Sequence, residues 1–159
     1  MDAPATVRRA RGADVPRLVP LIVEHAAFED LPHRLAGRAE ALAAALEATP
    51  PRLHAWLAEC ACDAIGYATA SIDFSTLDAA PYLHMDCLFM RESWRGRSIG
   101  LHLWQTVRAF AEGCGCAAVQ WQTPEWNEAA ARFYLRLGAR ERRKRRYAFA
   151  LEAAAAGGA

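Results

Sequence analysis

Residues 82–100 read YLHMDCLFMRESWRGRSIG, an apolar strand pattern that leads through a short turn into a helix beginning near Gly100. The backbone N–H groups at the start of a helix have no partners within the helix, and the helix dipole is positive there. The small residues Gly96, Ser98 and Gly100 would let an anion approach this backbone closely, so the turn is a candidate pyrophosphate site. The stretch lacks the Gly-Lys-Ser/Thr of a P-loop, and its glycines have the wrong spacing for the dinucleotide fingerprint. Taken alone, the same residues are equally typical of an ordinary structural turn.

The rest of the chain surrounds this stretch with further helices and strands. Amphipathic patterns bounded by Pro, Gly and Asp predict a strand, two helices and three strands, followed by helix, strand, helix and strand. This order predicts a mixed α/β sheet with helices on both faces. The predicted strands are 6–9, 54–60, 65–74, 82–90, 118–122 and 147–151, and the predicted helices are 14–25, 38–48, 100–111 and 127–137.

The composition indicates a soluble globular domain. The 159 residues are 53% apolar and 23% charged, which excludes a disordered chain, and no apolar run approaches the roughly 20 residues of a membrane span. We expect a single domain over 1–152 and a disordered tail over 153–159 (AAAAGGA). The first residues lack a signal-peptide pattern and the five cysteines are an odd number, so we expect a cytoplasmic protein without disulfides.

The charge is unevenly distributed along the chain. Residues 1–90 carry 7 basic and 12 acidic side chains, a net charge of −5, and residues 91–159 carry 12 basic and 6 acidic, a net charge of +6. A basic half suits an anionic ligand and an acidic half suits a cationic one. Chance scatter of charges in a small protein explains such an imbalance as well.

Two further patterns have plainer explanations. Two Cys-x-Cys pairs would supply four thiolates to a zinc ion: Cys60 with Cys62, and Cys114 with Cys116. This spacing is not that of a zinc knuckle. We therefore expect packing cysteines and no metal. The basic run at 142–146 (RRKRR) is more typical of a solvated hairpin than of a nucleic-acid site, and the acidic first half argues against a nucleic-acid partner.

A second motif lies at residues 126–139, which read WNEAAARFYLRLGA. The spacing places Asn127 at the start of a helix and Tyr134 two turns later on the same face. Phe133 and Tyr134 are also compatible with ordinary core aromatics.

Together the two motifs resemble the GNAT superfamily of N-acetyltransferases. The turn at 95–100 is similar to its acetyl-CoA pyrophosphate loop, R-x-x-G-x-G/A, with Ser98 where the family usually has Gly, and the second motif is similar to its N-x-x-A-x-x-F-Y-x-x-x-G signature. Within the superfamily the chain resembles the spermidine/spermine N-acetyltransferases, through AFE at 27–29, the acid at Asp86 and EWNE at 125–128. The resemblance implies a homodimer and a GNAT fold: a mixed, mostly antiparallel sheet of six to seven strands with about four helices, splayed at the acetyl-CoA site.

Acetyl-CoA is the cosubstrate that this resemblance implies. Leu88, Phe89 and Met90 would line the pantetheine, and residues 96–101 would hold the pyrophosphate. Asn127 would hold the pantetheine arm, and the Tyr134 hydroxyl would protonate the departing thiolate. The full set of residues implied for acetyl-CoA is Leu88, Phe89, Met90, Arg95, Gly96, Arg97, Ser98, Ile99, Gly100, Leu101, Gln122, Asn127, Ala130 and Tyr134.

An amine acceptor is protonated at neutral pH and must lose a proton before it attacks a thioester. By the resemblance, Asp86 takes this proton; the group itself has Glu there, and the shorter side chain favours a bridging water. His84 lies two residues away on the same strand face and is a second candidate base. The plainer interpretations are a surface histidine at 84 and, at 86, a carboxylate that only attracts a cationic substrate.

The acidic first half favours a small polycationic acceptor. An amino sugar of the aminoglycoside type, with kasugamycin as the first compound to test, and a polyamine are the two leading candidates, and a protein acceptor ranks third. A CoA-binding module without catalysis is the alternative outside the enzymes, and we expect no membrane partner. The residues expected to bind the acceptor are Glu29, Asp30, Asp78, His84, Asp86, Glu125 and Trp126.

Overall fold

One five-stranded sheet organises the residues up to Gln122. The computed structural model describes residues 4–151, which divide after Gln122 into two compact units. The sheet belongs to the first unit, and its strands lie side by side in chain order. β1 to β4 pair antiparallel, and β5 runs parallel to β4. The strands are β1 Thr6–Ala10, β2 His54–Cys60, β3 Asp63–Ser75, β4 Ala80–Met90 and β5 Val119–Gln120.

The four predicted α-helices form close to their expected positions, with α4 in the second unit. α1 begins with a proline in its first turn, where the missing N–H breaks no helical hydrogen bond, and it continues three residues past its predicted end. This extension brings Phe28 into the helix. The helices are α1 Val15–Phe28, α2 Ala39–Glu47, α3 Ile99–Gly113 and α4 Glu128–Arg136, with short 3₁₀ turns at Gly12–Asp14 and Glu92–Trp94.

Helices cover both faces of the sheet, as the sequence predicted. Side chains alternate between the faces of a strand, so every second residue of β2 and β3 faces the same helix. On one face a buried cluster joins the sheet to α1, and its members include Leu18, Leu21, Ala55, Leu57, Tyr67 and Phe89. On the other face Trp56 packs edge-on against Phe110 of α3, with 5.2 Å between ring centroids.

Strand β4 contains a β-bulge at Asp86. Thr69 of β3 pairs with Cys87, and the next residue, Ala70, pairs with Met85. Asp86 is therefore one extra residue on β4 without a partner on β3. A bulge of this kind moves the alternation of side chains along by one position.

The bulge brings two polar side chains of β4 to the α1 face. His84 pairs with Ser71 and Cys87 pairs with Thr69, and these two β3 residues alternate with Tyr67, which packs toward α1. His84 and Cys87 are three positions apart, an odd number, so a regular strand would direct them to opposite faces.

β4 and β5 separate almost as soon as they pair. Leu83 pairs with Val119 and His84 with Gln120, and within residues 4–122 no further strand pairing covers this edge of β4. Residues 85–90 therefore present an unpaired strand edge. This is the splay between strands that the resemblance implied.

The strand predicted at 147–151 does not form, so within residues 4–151 the sheet has five strands and not the six to seven expected. Residues 139–151 have no regular secondary structure, and Tyr147, Phe149 and Leu151 are 83, 89 and 85% exposed. Alternation shows that a segment suits a strand, but a strand also needs a hydrogen-bonded neighbour, which alternation does not specify. The predicted tail at 153–159 lies outside the described residues.

The described residues carry no cluster of three or more His, Cys, Asp or Glu side chains suited to a metal ion. All five cysteines are free thiols. Between residues 4 and 151 no helix combines the length and apolar character needed to cross a membrane.

Gly66 of β3 allows β3 and β4 to approach closely where β4 ends. A Cβ at this position would lie 2.7 Å from the carbonyl oxygen of Phe89 and would overlap the Met90 side chain. We expect Gly66→Ala to lower the free energy of unfolding by about 1–3 kcal/mol, because added volume in a packed core displaces its neighbours. Gly113→Ala is the matched control, since a Cβ there has no neighbour within 4 Å. Urea unfolding measures both variants, and equal stability would contradict the close approach.

Candidate active site

The turn between β4 and α3 exposes the first amides of the helix to a ligand. Gly96 and Ser98 both adopt left-handed backbone conformations, with φ of 75° and 63°. The first hydrogen bond of the α3 ladder runs from the N–H of His102 to the carbonyl of Ser98, at 3.0 Å. The amides of residues 99–101 precede it, and the Ser98 side chain does not cap the helix.

Ser98 is strained at the position where the family pattern has glycine. A left-handed conformation costs a non-glycine residue roughly 1–2 kcal/mol. Strain of this kind persists where the surrounding structure requires the conformation, and it is common at binding sites. The left-handed backbone at position 98 therefore explains why the family pattern has glycine there. Serine is small enough to replace it beside a bound anion.

The turn packs directly on the end of β4. A Cβ at Gly100 would lie 3.6 Å from Cγ of Met90, which is ordinary contact. Most of the residues predicted for acetyl-CoA in the first unit therefore meet at one place: Met90, Arg95, Gly96, Arg97, Ser98, Ile99, Gly100 and Leu101. Leu88 and Phe89 lie on the adjacent, unpaired part of β4, and Gln122 follows β5 outside regular structure.

Arg95 folds back over α1 and β4. Its guanidinium carbon lies 4.4 Å from the ring centre of Phe28 and 5.8 Å from that of Phe89, and its Nε donates to the carbonyl of Met90 at 3.0 Å. A cation over aromatic faces is stabilised by the ring quadrupole. Arg95 therefore connects the end of α1 to the turn.

A second arginine holds α1 against the same end of the sheet. Arg91 donates to both carboxylate oxygens of Glu24, with Nη2–Oε1 2.7 Å and Nε–Oε2 2.9 Å, and its Nη1 donates to the carbonyl of Ala64 at 2.9 Å. The hydrogen bonds to Glu24 raise the pKa of Arg91. Bidentate pairs fix orientation as well as distance, so the last turns of α1 are held beside the end of β4.

These contacts border a pocket of about 650 Å³ at the end of β4. Its volume lies within the range of small-molecule sites, and its wall combines two aromatic rings with charged groups of both signs. The lining residues are Glu24, Phe28, Phe89, Arg91, Glu92, Ser93 and Arg95. Sequence reasoning assigned no role to Glu24 or Arg91, because a pair 67 residues apart leaves no local pattern.

The two candidate bases lie together at the bulge. His84 Nε2 is 3.8 Å from Asp86 Oδ1, and the side chain of Asp86 is 63% exposed. The structure thus brings the two side chains to the same face of β4, beside its open edge. An exposed carboxylate next to an imidazole is able to attract an ammonium group and accept its proton.

The other acidic residues predicted around the acceptor lie in different places. Glu29 and Asp30 follow the last turn of α1, and Glu29 Oε1 lies 3.2 Å from Nε2 of His25. Asp78 lies in the β3–β4 hairpin and accepts a hydrogen bond from Ser75 Oγ at 2.7 Å. The six residue steps of β4 from Ala80 to Asp86 span roughly 20 Å at about 3.3 Å per residue, so the structure does not bring Asp78 and Asp86 together.

The second unit carries the remaining predicted residues. Asn127 caps α4, with its Oδ1 accepting the N–H of Ala130 at 3.1 Å. Tyr134 lies on α4 beside Phe133, with 5.3 Å between ring centroids. Glu125 and Trp126 precede the helix, and Trp126 is more than half exposed. The cap gives Asn127 a structural role in addition to its predicted one.

Comparisons with known proteins agree with the resemblance found in the sequence. Residues 22–139 match the acetyltransferase (GNAT) family. A thialysine N-epsilon-acetyltransferase from Mus musculus is 26% identical over 147 residues, which cover 87% of this chain and 86% of that protein.

Solved structures share the fold. An aminoglycoside acetyltransferase from an uncultured soil metagenomic sample, in complex with trehalose, superposes with a TM-score of 0.80 at 18% identity, covering 93% of this chain and 97% of that one. Aminoglycoside N-acetyltransferase AAC(6')-Iy in complex with CoA superposes with a TM-score of 0.77 at 21% identity, covering 94% and 95%.

The family match extends over most of the chain and includes both sequence motifs. It also includes the strand, turn and helix that form the pocket end of the sheet. The chain therefore belongs to the GNAT family of acetyltransferases.

Proposed function

We propose that this chain transfers the acetyl group of acetyl-CoA to a primary amine of a small polycationic acceptor, preferably an amino sugar of the aminoglycoside type. Family membership makes the chain an acetyltransferase, and its curated relatives are named as N-acetyltransferases. The single observation that carries the proposal is the end of β4. Residues 84–101 contain three features of a site: an unpaired strand edge, the amides that begin α3 and the Asp86–His84 pair.

The residues at this end of the sheet suit acetyl-CoA. A pyrophosphate needs several donors around it, and the amides of residues 99–101 at the positive end of α3 are of that kind. Pantetheine is an extended chain with amide groups, and such a chain is able to hydrogen-bond to an unpaired strand edge as an extra strand would. The edge along Leu88, Phe89 and Met90 therefore suits pantetheine. Acetyl-CoA supplies an activated acyl group with a thiolate leaving group.

The side chains then have three tasks. Asp86 takes a proton from the acceptor ammonium, so that the amine nitrogen has a free electron pair for direct attack on the thioester carbonyl. His84, whose Nε2 lies 3.8 Å from Oδ1 of Asp86, adds a positive charge beside the carboxylate when protonated and is the second candidate base. Tyr134 donates its hydroxyl proton to the departing sulfur. No side chain needs to form a covalent bond to the acetyl group.

A polycation is the preferred acceptor because the candidate base is an exposed carboxylate and residues 1–90 carry a net charge of −5. Glu29 and Asp30, just after the last turn of α1, are further carboxylates proposed to contact the acceptor. One relative is named as a thialysine N-epsilon-acetyltransferase, and a solved structure with this fold is named as an aminoglycoside acetyltransferase. A polyamine or diamine is the second candidate acceptor, favoured by the thialysine relative.

A panel of amines assayed for release of free CoA tests this proposal. It contains kasugamycin, sisomicin, spermidine, thialysine and a short peptide with a free N-terminus, and mass spectrometry checks each product for one added acetyl group. Acetylation of kasugamycin or sisomicin with the highest kcat/KM supports the amino-sugar proposal. Preference for spermidine or thialysine supports the second candidate, and CoA binding without acetylation of any amine would mean a non-catalytic module.

The pyrophosphate assignment predicts a binding defect in Gly100→Asp. A carboxylate at this position lies against the proposed phosphate site, so CoA affinity measured by calorimetry should fall at least about tenfold. Urea unfolding of the variant checks that a binding defect does not reflect unfolding, since the new side chain begins beside Met90. Gly100→Ala is the control, because its Cβ makes only ordinary contact with Met90. Unchanged affinity in Gly100→Asp would place the pyrophosphate elsewhere.

The charge of the acceptor predicts a salt effect on its KM. The KM for a polycationic acceptor should rise several-fold as ionic strength increases from about 0.01 to 0.15 M, where the Debye length falls from about 30 to 8 Å. The KM of a monoamine serves as the control and should change less. A salt-independent KM, or preference for a neutral acceptor, would contradict attraction by the carboxylates.

Tyr134→Phe should lower kcat and leave the KM for acetyl-CoA nearly unchanged. The substitution keeps the ring and removes a proton donor that acts mainly in the transition state, which is worth about 10²-fold or more when a general acid is needed. Tyr147→Phe is the matched control, since Tyr147 belongs to the same unit and is largely exposed. A single-turnover measurement reports the rate of the chemical step even when product release limits kcat. An unchanged single-turnover rate in Tyr134→Phe would contradict the assignment of Tyr134 as general acid.

A further inference from the structure

A second pocket of about 570 Å³ lies at the far end of α3 from the pyrophosphate turn. It includes Phe110 and Cys114 from the last turn of that helix. α3 has 15 residues and is roughly 22 Å long at about 1.5 Å per residue, so this pocket is well separated from the amides that begin the helix. The lining residues are Pro50, Pro51, Arg52, His54, Ser71, Ile72, Asp73, Phe110 and Cys114.

Arg9 of β1 is a half-buried cation behind the wall of this pocket. Its guanidinium carbon lies 4.7 Å from the ring centre of Trp56 and 4.8 Å from that of Phe110, and its Nη2 contacts Nδ1 of His54. Among the described residues, no carboxylate pairs with this guanidinium, and burial lowers the pKa of Arg9. Charged side chains that leave water are usually paired with an opposite charge, so Arg9 gives this end of the sheet an uncompensated positive charge.

His54 presents a hydrogen-bond donor to the pocket. A guanidinium only donates, so Nδ1 of His54 accepts from Arg9 and the neutral ring carries its hydrogen on Nε2. Burial, and then the charge of Arg9, lower the pKa of His54, which keeps the ring neutral at pH 7. His54 is 8% exposed, and Nε2 has no protein partner within the described part of the chain. No fully buried polar side-chain atom there lacks a partner, so Nε2 reaches the pocket that the ring lines.

Apolar side chains form much of the remaining wall. Pro50, Pro51, Ile72 and the ring of Phe110 all line the pocket. Small-molecule sites typically combine such a surface with a few polar groups that fix the orientation of the ligand. A ligand that fills this pocket therefore needs an apolar body as well as a group that accepts a hydrogen bond.

The exposed rim carries charges of both signs. Arg52 and Asp73 are exposed lining residues, and Oδ2 of Asp73 lies 3.5 Å from the hydroxyl of Tyr82. Solvent and salt screen charges at such positions. The half-buried guanidinium of Arg9 is screened less, so the inner wall favours an anion.

We propose that this pocket binds a small organic carboxylate, which accepts from Nε2 of His54 and from the guanidinium of Arg52 and places its apolar body against Phe110. Arg9 acts from behind the imidazole, where its charge polarises the N–H donor and is compensated by the bound anion. The site is distinct from the proposed acetyl-CoA site, and the proposal does not depend on the proposed function.

Benzoate is the probe for this pocket, since it combines a carboxylate with a compact apolar ring. An NMR titration of the full chain should show saturable binding. Benzyl alcohol lacks the charge and inorganic phosphate lacks the apolar body, so each should bind at least about tenfold more weakly. The absence of saturable benzoate binding would overturn the proposal. Equal affinity for benzyl alcohol or for phosphate would show that one of the two required groups is not recognised, and would also overturn it.

Arg9→Met tests whether the buried cation is the source of the affinity. Met keeps an unbranched apolar side chain against Trp56 and Phe110 and removes the charge, so benzoate affinity should fall at least about tenfold. Arg34→Met is the matched control, because it removes an exposed positive charge from the connection between α1 and α2. Equal benzoate affinity in the two variants would contradict the role of Arg9.

Arg52→Met decides the question if Arg9→Met does not fold. Arg52 is exposed and lines the pocket, so its removal should leave the fold intact and weaken benzoate several-fold, which urea unfolding and the same titration measure. Unchanged benzoate affinity in Arg52→Met would overturn the proposed contact.

Cys114 reports occupancy of the pocket directly. Its exposed thiol lines the pocket, whereas the exposed thiol of Cys62 lies in the turn between β2 and β3. Saturating benzoate should slow alkylation of Cys114 by iodoacetamide several-fold and leave Cys62 unchanged, as measured by mass spectrometry of the peptides. An unchanged rate at Cys114 would place benzoate elsewhere.

A titration in the presence of CoA separates this pocket from the candidate active site. Saturating CoA should leave the benzoate affinity unchanged, because the two sites lie at opposite ends of α3. Competition between CoA and benzoate would place benzoate in the acetyl-CoA site and overturn the second pocket.

Discussion

The extra residue in strand β4 determines which side chains of this protein meet. In a regular strand His84 and Cys87 would face opposite sides of the sheet, because side chains alternate with a period of two. The bulge at Asp86 moves the alternation by one position, so both residues face α1 together with Tyr67. His84 and Cys87 therefore share one face of the sheet, with His84 next to the edge of β4 that β5 leaves unpaired.

Helix α1 takes part in this arrangement because two arginines hold it there. Arg91 and Arg95 follow β4 directly, and they contact Glu24 and Phe28 in the last turns of α1. One contact is a bidentate ion pair and the other a cation over an aromatic ring, so both restrict orientation as well as distance. As a result, residues proposed for the acceptor and residues proposed for the cofactor meet at one end of the sheet.

Local patterns in the sequence predicted most of the secondary structure. β2 forms over the predicted residues, and α4 begins and ends within one residue of its prediction, because hydrophobic periodicity and capping residues act over short distances. The strand at 147–151 failed for a different reason. Its alternating pattern is real, but pairing with a neighbour is a long-range property. Asp78 likewise has the expected charge, but its position in a hairpin turn separates it from Asp86.

The sequence by itself determined the family, the order of the elements and the turn that opens α3, because each of these is written in contiguous residues. It also identified Asp86 and His84, which are two positions apart on one strand. Only the tertiary structure decided that Asp86 is a bulge and that His25 reaches Tyr67, since register and packing join residues 42 positions apart. A buried hydrogen bond such as that between His25 and Tyr67 has no pattern along the sequence, because its two residues come from different elements and share only a place in the fold.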